Sequence, residues 1–157
     1  MTELQWSSKM NIGIDVIDKQ HRQIVDYINR LGEAIKASNK SEILQILDDV
    51  IDYTQSHFAF EEALMADAGY AALEVHQKIH TLFAQRVLRL KERYIDNEEI
   101  GGELQTMLCR WLSNHIQHDD AAYSSAVRQK ILHLVEEKHE ESWLGRSLKR
   151  FFGSTTH

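Results

Sequence analysis

The stretch His57-Phe-Ala-Phe-Glu61-Glu-Ala-Leu-Met65, followed by Val75-His76-Gln-Lys-Ile-His80, decides how this chain is read. Within 24 residues it holds His-x-x-x-Glu and then His-x-x-x-His. On an α-helix a spacing of four stacks two side chains on one face, so each pair can aim two ligand atoms at one point. Two such pairs on successive helices make most of a metal site. The rest of the chain has to supply the remainder.

Working outward, the apolar residues recur with a helical period on both sides of this stretch. One seam holds Ile17, His21, Ile24, Ile28, Leu31 and Ile35, and the next holds Ile43, Leu47, Val50, Thr54, His57, Glu61 and Leu64. A third runs through Leu73, His76, His80, Phe83, Val87, Leu90 and Tyr94, and a fourth through Leu104, Leu108 and Trp111 to His115. Helices are expected over about 17–37, 42–66 and 70–94, and from about 103 onward. Ser41, followed by Glu42, is the expected N-cap of the second, and Asp67-Ala-Gly69 its end. Residues 1–15 read as an irregular arm whose Trp6, Ile12 and Ile14, with Val16 beyond it, can reach a core. There is no proline and there are only seven glycines, so little interrupts a helix. The expectation is all-α: an up-down-up-down four-helix bundle with an N-terminal arm over 1–123, and a helical C-terminal extension over 124–157.

The 157 residues suffice for one domain with a sizeable core, and 43% apolar with 27% charged residues is ordinary for a globular protein. A net charge of -6 argues against non-specific nucleic-acid binding. No run of 18 apolar residues and no secretory signal is visible, and the single cysteine, Cys109, fits a reducing cytoplasm. Nine histidines are many for this length.

The histidines fall where a bundle buries its residues. His21, His57, His76, His80 and His115, with Glu61, interrupt otherwise apolar seams. In an antiparallel bundle early positions in one helix lie level with late positions in the next, which brings all six to one end. A buried polar group without a partner costs about 1–3 kcal/mol, so a metal resolves the conflict by taking up the imidazole lone pairs and the carboxylate charge. One cation rarely uses this many ligands. Two metals bridged by carboxylates fit better, and within a helix bundle that donor set favours the di-iron class. Thr54 is assigned to the core.

The chain resembles the bacterial hemerythrins. The similarity lies in Trp6 … Ile12-Gly-Ile-Asp15 … Ile17-Asp18-Lys-Gln20-His21, in His57-Phe-x-x-Glu61-Glu, in His76-x-x-x-His80, and in Trp111-Leu-x-Asn-His115-Ile-x-x-x-Asp120-x-x-Tyr123. It covers about residues 6–123. The resemblance implies two irons. His76, His80 and His115 would hold one, His21 and His57 the other, with Glu61 and Asp120 bridging them beside an oxo or hydroxo group. Dioxygen would bind at the open position of the two-histidine iron, within an apolar lining of Ile24, Phe58, Trp111, Leu112 and Ile116. Such a protein carries, stores or supplies oxygen. A sensor or partner-binding module built on the same centre is the alternative, and an enzyme handling peroxide or nitric oxide is less favoured. By helical period alone Asp119, four residues after His115, stacks better than Asp120, so Asp119 is the second choice of ligand. A π-type bulge is one way to bring Asp120 round. His118, near the seam, is either a hydrogen-bonding partner of the site or a surface residue.

Beyond 123 the helical pattern continues through Val127, Ile131, Leu134 and Val135 into the acidic run Glu136-Glu-Lys-His-Glu-Glu141. In 142–152, Ser142 is a candidate cap and Gly153 a terminator. There Leu144, Leu148, Phe151 and Phe152 share a face opposite Arg146, Lys149 and Arg150. This basic amphipathic segment suits an anionic membrane surface or a partner's groove, or else it packs on its own bundle.

Overall fold

The computed structural model describes the backbone of residues 4–136 and 140–153 and the side chains of 4–132 and 144–153. The placement of the Leu134 and Val135 side chains and the side chains of the acidic run therefore lie outside the described residues, while position 142, expected as a cap, falls inside α6 (Glu140–Phe152) and does not start it. Among the described residues all regular structure is helical: α1 (Asp15–Lys36), α2 (Lys40–Asp67), α3 (Leu73–Ile95), α4 (Gly101–Asn114), α5 (Ala121–Glu136) and α6 (Glu140–Phe152). A 3-10 turn (Ser8–Met10) lies in the N-terminal arm, and a π-helical segment (His115–Asp120) joins α4 to α5 without a break. The expected boundary at 123/124 falls inside α5.

The seams form the bundle interior. Ile17, Ile24, Ile28 and Leu31 of α1, Ile43, Leu47, Val50 and Leu64 of α2, Phe83, Val87 and Leu90 of α3, and Leu104 and Leu108 of α4 are all buried. At roughly 1.5–3 kcal/mol for each fully buried large apolar side chain, this face is what holds the helices together. Thr54 is buried as core, its hydroxyl donating to the Val50 carbonyl at 2.8 Å.

All four bundle helices start two or three residues from expectation, α1 at Asp15 and α4 at Gly101 each two residues early, and two of the shifts have local reasons. α2 is capped by Asn39 rather than Ser41: the Asn39 side-chain oxygen accepts the Glu42 amide at 3.2 Å. Ser38 adopts a positive φ of 53° to end the preceding turn, so Asn39 is the first residue free to cap. α3 begins at Leu73 rather than near Tyr70. Gly69 takes φ 71° and the Tyr70 amide closes back onto the Met65 carbonyl at 3.0 Å, a glycine-terminated helix end that keeps 70–72 in a turn.

The arm is latched to α1. The Asp18 carboxylate accepts the Ile12 amide at 2.8 Å and the Gly13 amide at 3.3 Å, while Gly13 turns the chain at φ 86°. Met10, Ile12 and Ile14 are buried, and Trp6 and Val16 pack partly against the core. At the other terminus α6 lies on its own bundle. Leu144, Leu148, Phe151 and Phe152 pack against the core, and the Phe152 ring meets Tyr53 at 5.5 Å and Phe60 at 5.8 Å between centroids. The apolar face considered for a membrane or a partner is thus occupied by α2 and its neighbours. Gly153, at φ 72°, ends the helix as expected.

Candidate metal centre

Four elements aim side chains at one end of the interior. α1 contributes His21, α2 His57 and Glu61, α3 His76 and His80, and the π-helical segment His115 and Asp120. All seven are at most 3% exposed. They form two overlapping groups: ligand atoms of Glu61, His76, His80, His115 and Asp120 lie within 4.8 Å of one another, and so do those of His21, His57, Glu61 and Asp120. Both carboxylates belong to both groups.

The π-helical segment explains the awkward spacing of five. On an ideal α-helix Asp120 would point about 140° away from His115, whereas a π turn closes on the fifth residue and brings the two into line. Asp120 Oδ1 then lies 3.0 Å from His76 Nε2 and 3.1 Å from His115 Nε2, and Oδ2 lies 3.0 Å from His21 Nε2. Glu61 Oε1 meets His57 Nε2 and lies 3.3 Å from His21 Nε2. Asp119 faces away from this cluster and accepts a hydrogen bond from His115 Nδ1 at 2.9 Å. His118 is exposed.

Several buried atoms here have close neighbours but no aligned hydrogen bond: Glu61 Oε2, both Asp120 oxygens and His76 Nε2. Oxygens and ring nitrogens that converge at about 3 Å without an aligned hydrogen bond suit a cation placed between them, and each would otherwise cost about 1–3 kcal/mol. The donor set of imidazoles and carboxylates suits iron, zinc or related divalent ions.

The charges are strongly coupled without metal. Burial opposes a charge on His21, yet Asp120 and Glu61 outweigh it and raise its pKa to about 9. Burial and Asp120 push Glu61 upward, but His57 and His21 prevail and hold it at about 2. Burial likewise opposes the Asp120 charge, and His115, His21 and His76 keep it well below the usual range. His115 is raised, because burial is outweighed by Asp120, Glu61 and Asp119. His80 is lowered, chiefly by burial. Protons therefore occupy part of this site in the metal-free protein, and a metal has to displace them.

Two residues outside the ligand cluster stand in the quoted motifs but were given no role by the sequence. Gln20 Oε1 accepts from His57 Nδ1 at 2.7 Å, and Glu62 Oε2 accepts from His80 Nδ1 at 3.0 Å. The available signal was position: each directly neighbours a cluster residue in sequence, and Gln20 is itself buried. Tyr123, present in the motif without a role, is fully buried with its ring 5.5 Å from that of His76. Of the apolar set, Ile24, Phe58, Leu112 and Ile116 are buried and Trp111 is half-buried. Phe58 stacks on His80 at 3.8 Å, Trp111 stacks on His115 at 4.3 Å, and Phe83 backs Trp111 at 3.8 Å. The two aromatics thus lie chiefly against the three-histidine group, although Phe58 also borders His57 at 6.0 Å.

The family profile described as "Hemerythrin HHE cation binding domain" matches residues 12–127. The chain belongs to the hemerythrin family. A bacteriohemerythrin of Pseudomonas aeruginosa is 48% identical over 98% of this chain and 100% of its own length, and one of Stenotrophomonas maltophilia is 46% identical with the same coverage. A crystal structure of wild-type hemerythrin superposes with a TM-score of 0.76 at 28% identity, covering 80% of this chain and 98% of that one. Membership of this family supports a non-haem di-iron, oxygen-binding domain. Among the described residues no helix is long and apolar enough to cross a membrane.

Proposed function

We propose that this chain binds dioxygen reversibly at a carboxylate-bridged di-iron centre and serves as an oxygen carrier, store or supplier. In this reading His76, His80 and His115 hold one iron and His21 and His57 the other, with Glu61 and Asp120 bridging. The observation that carries it is the sharing of both carboxylates between a three-histidine and a two-histidine group. Two irons held there would supply the two electrons that dioxygen takes up on binding.

The chain's own residues account for reversibility. Ile24, Phe58, Leu112 and Ile116 offer no carboxyl, imidazole or hydroxyl group, so as a lining they exclude water and deliver no proton to the oxygen, while Trp111, stacked on His115, shields the three-histidine side. The lack of an acid in this set disfavours turnover of peroxide or nitric oxide, and the neighbouring Tyr123 phenol is a poor acid because burial and the Glu61 and Asp120 charges push its pKa well up. The half-buried thiol of Cys109 is in keeping with a reducing compartment such as the cytoplasm.

A sensor role is the second reading, favoured by one contact. Phe152 of α6 rests on Phe60, the residue before Glu61, so α6 contacts the same turn of α2 that carries a proposed bridging ligand. The test is anaerobic reduction of protein loaded with two irons per chain, then exposure to air, followed by visible absorption. A change that deoxygenation reverses is expected. Irreversible passage to the ferric form, or fewer than two irons after full reconstitution, would sink the carrier reading. Removal of α6 leaves oxygen affinity unchanged for a carrier and shifts it for a sensor.

A further inference from the structure

The outer nitrogens of three histidines have side-chain acceptors, and these acceptors are not alike. Behind the three-histidine group, His80 Nδ1–H donates to Glu62 Oε2 at 3.0 Å and His115 Nδ1–H donates to Asp119 Oδ2 at 2.9 Å. Behind the two-histidine group, His57 Nδ1–H donates to Gln20 Oε1 at 2.7 Å. Glu62 and Asp119 side chains are 24% and 37% exposed, whereas Gln20 is buried and carries no charge. Each contact turns the Nε2 lone pair of its histidine inward, toward the cluster, and fixes the ring's orientation. A hydrogen bond to a carboxylate makes an imidazole a more basic ligand, and hydrogen bonds to ionised acceptors are roughly twice as strong as neutral ones. A more basic ligand favours the higher oxidation state of its metal.

We propose that Gln20, Glu62 and Asp119 are positioning residues that make the two halves of the centre electronically unequal. The Glu62 and Asp119 carboxylates bias the three-histidine metal toward the oxidised state. The neutral Gln20 amide leaves the two-histidine metal easier to keep reduced, on the side that takes dioxygen. This rests on the ligand assignment proposed above. It predicts that acceptor charge, outside the ligand shell, adds to the difference that three histidines against two already make.

The test uses the full chain loaded anaerobically with ferrous iron, an iron count for each protein, and potentiometric titration followed by electron paramagnetic resonance of the mixed-valent state. Glu62→Gln and Asp119→Asn keep an acceptor and remove its charge. Both are expected to retain two irons, with affinity falling by about 10–100-fold at most, and to raise the potential of the centre. The rise is about 59 mV for each tenfold loss of preference for ferric over ferrous iron in a one-electron couple. Gln20→Glu is expected to lower the potential. A purely structural role predicts no such opposition of sign. Unchanged potentials in both Glu62→Gln and Asp119→Asn, with two irons bound, would overturn the proposal. So would loss of iron from both, because a neutral amide still accepts the same bonds. Should Gln20→Glu fail to fold, the two partly exposed positions carry the test. Wild-type chain that never takes up two irons would bring down the ligand assignment itself, and the iron count distinguishes that result from unaltered potentials.

Discussion

Asp120→Asn and Asp119→Asn differ by one position in the chain and should differ greatly in effect. The Asp120 oxygens lie 3.0–3.1 Å from imidazole nitrogens of His21, His76 and His115, in a site with no exposure. A cation held among those nitrogens faces the Asp120 charge at about that distance; at an effective dielectric of about 20 one unit charge pair there is worth about 5–6 kcal/mol before desolvation, and removing one partner of a buried pair costs about 3–5 kcal/mol. Because Asp120 belongs to both candidate metal groups, its neutralisation weakens both. At 1.4 kcal/mol per tenfold, affinity should fall by roughly two to three and a half orders of magnitude, and bound iron from two per chain to one or fewer. Asp119 instead meets the outer nitrogen of His115. Its replacement by asparagine should keep two irons with at most about a 100-fold weaker affinity. Anaerobic competition with a chelator of known strength, with metal analysis of the product, measures both. Asp120→Asn protein that binds two irons within tenfold of wild type, or Asp119→Asn protein damaged more than it, would refute the role of the π-helical segment in presenting Asp120.

Three further outcomes follow from other parts of the molecule. The metal-free protein should be most stable between about pH 4.5 and 6.5. His21, raised from 6.5 to about 9, contributes fully below 6.5 and loses that contribution as pH rises through 9, while Glu61, lowered from 4.5 to about 2, loses its contribution as pH falls toward 2. The alkaline loss should be on the order of 3 kcal/mol, and a flat denaturation profile from neutral to above pH 9 would contradict it. Phe152→Ala should cost about 1–2 kcal/mol, less than a fully buried Phe, and hydrogen exchange should report it as early opening of α6; unchanged protection there would mean the Tyr53 and Phe60 contacts hold nothing. Gly13→Ala places a Cβ at φ 86° and 2.8 Å from Arg128 Nη1, and should destabilise by about 1–2 kcal/mol in a thermal melt, with the arm released first.

What could be read in advance depended on whether the physics was local. The seams and the pairs His57/Glu61 and His76/His80 follow from a repeat of three to four residues, which any helix long enough to bury a face must express. That repeat also set the six seam ligands at one level. It could not place Asp120, because a π turn is invisible to a search at the α period, and periodicity alone favoured Asp119; only the family resemblance pointed to Asp120. Gln20 lies 37 residues from His57. Its role depends on the rotation of α1 against α2, which no single-helix pattern encodes. The same applies to α6. Its basic amphipathic composition suits a membrane, a partner or its own bundle equally well, and the choice rests on whether a neighbour presents a matching apolar face. Tyr53 and Phe60 on α2 present that face, where Phe152 can bury without leaving the chain. An intramolecular partner needs no loss of translational freedom, so a helix tethered close to such a surface will occupy it before any external ligand does. A partner for the α6 face would therefore have to outcompete α2, and its binding would uncover Phe60 on the turn that carries Glu61.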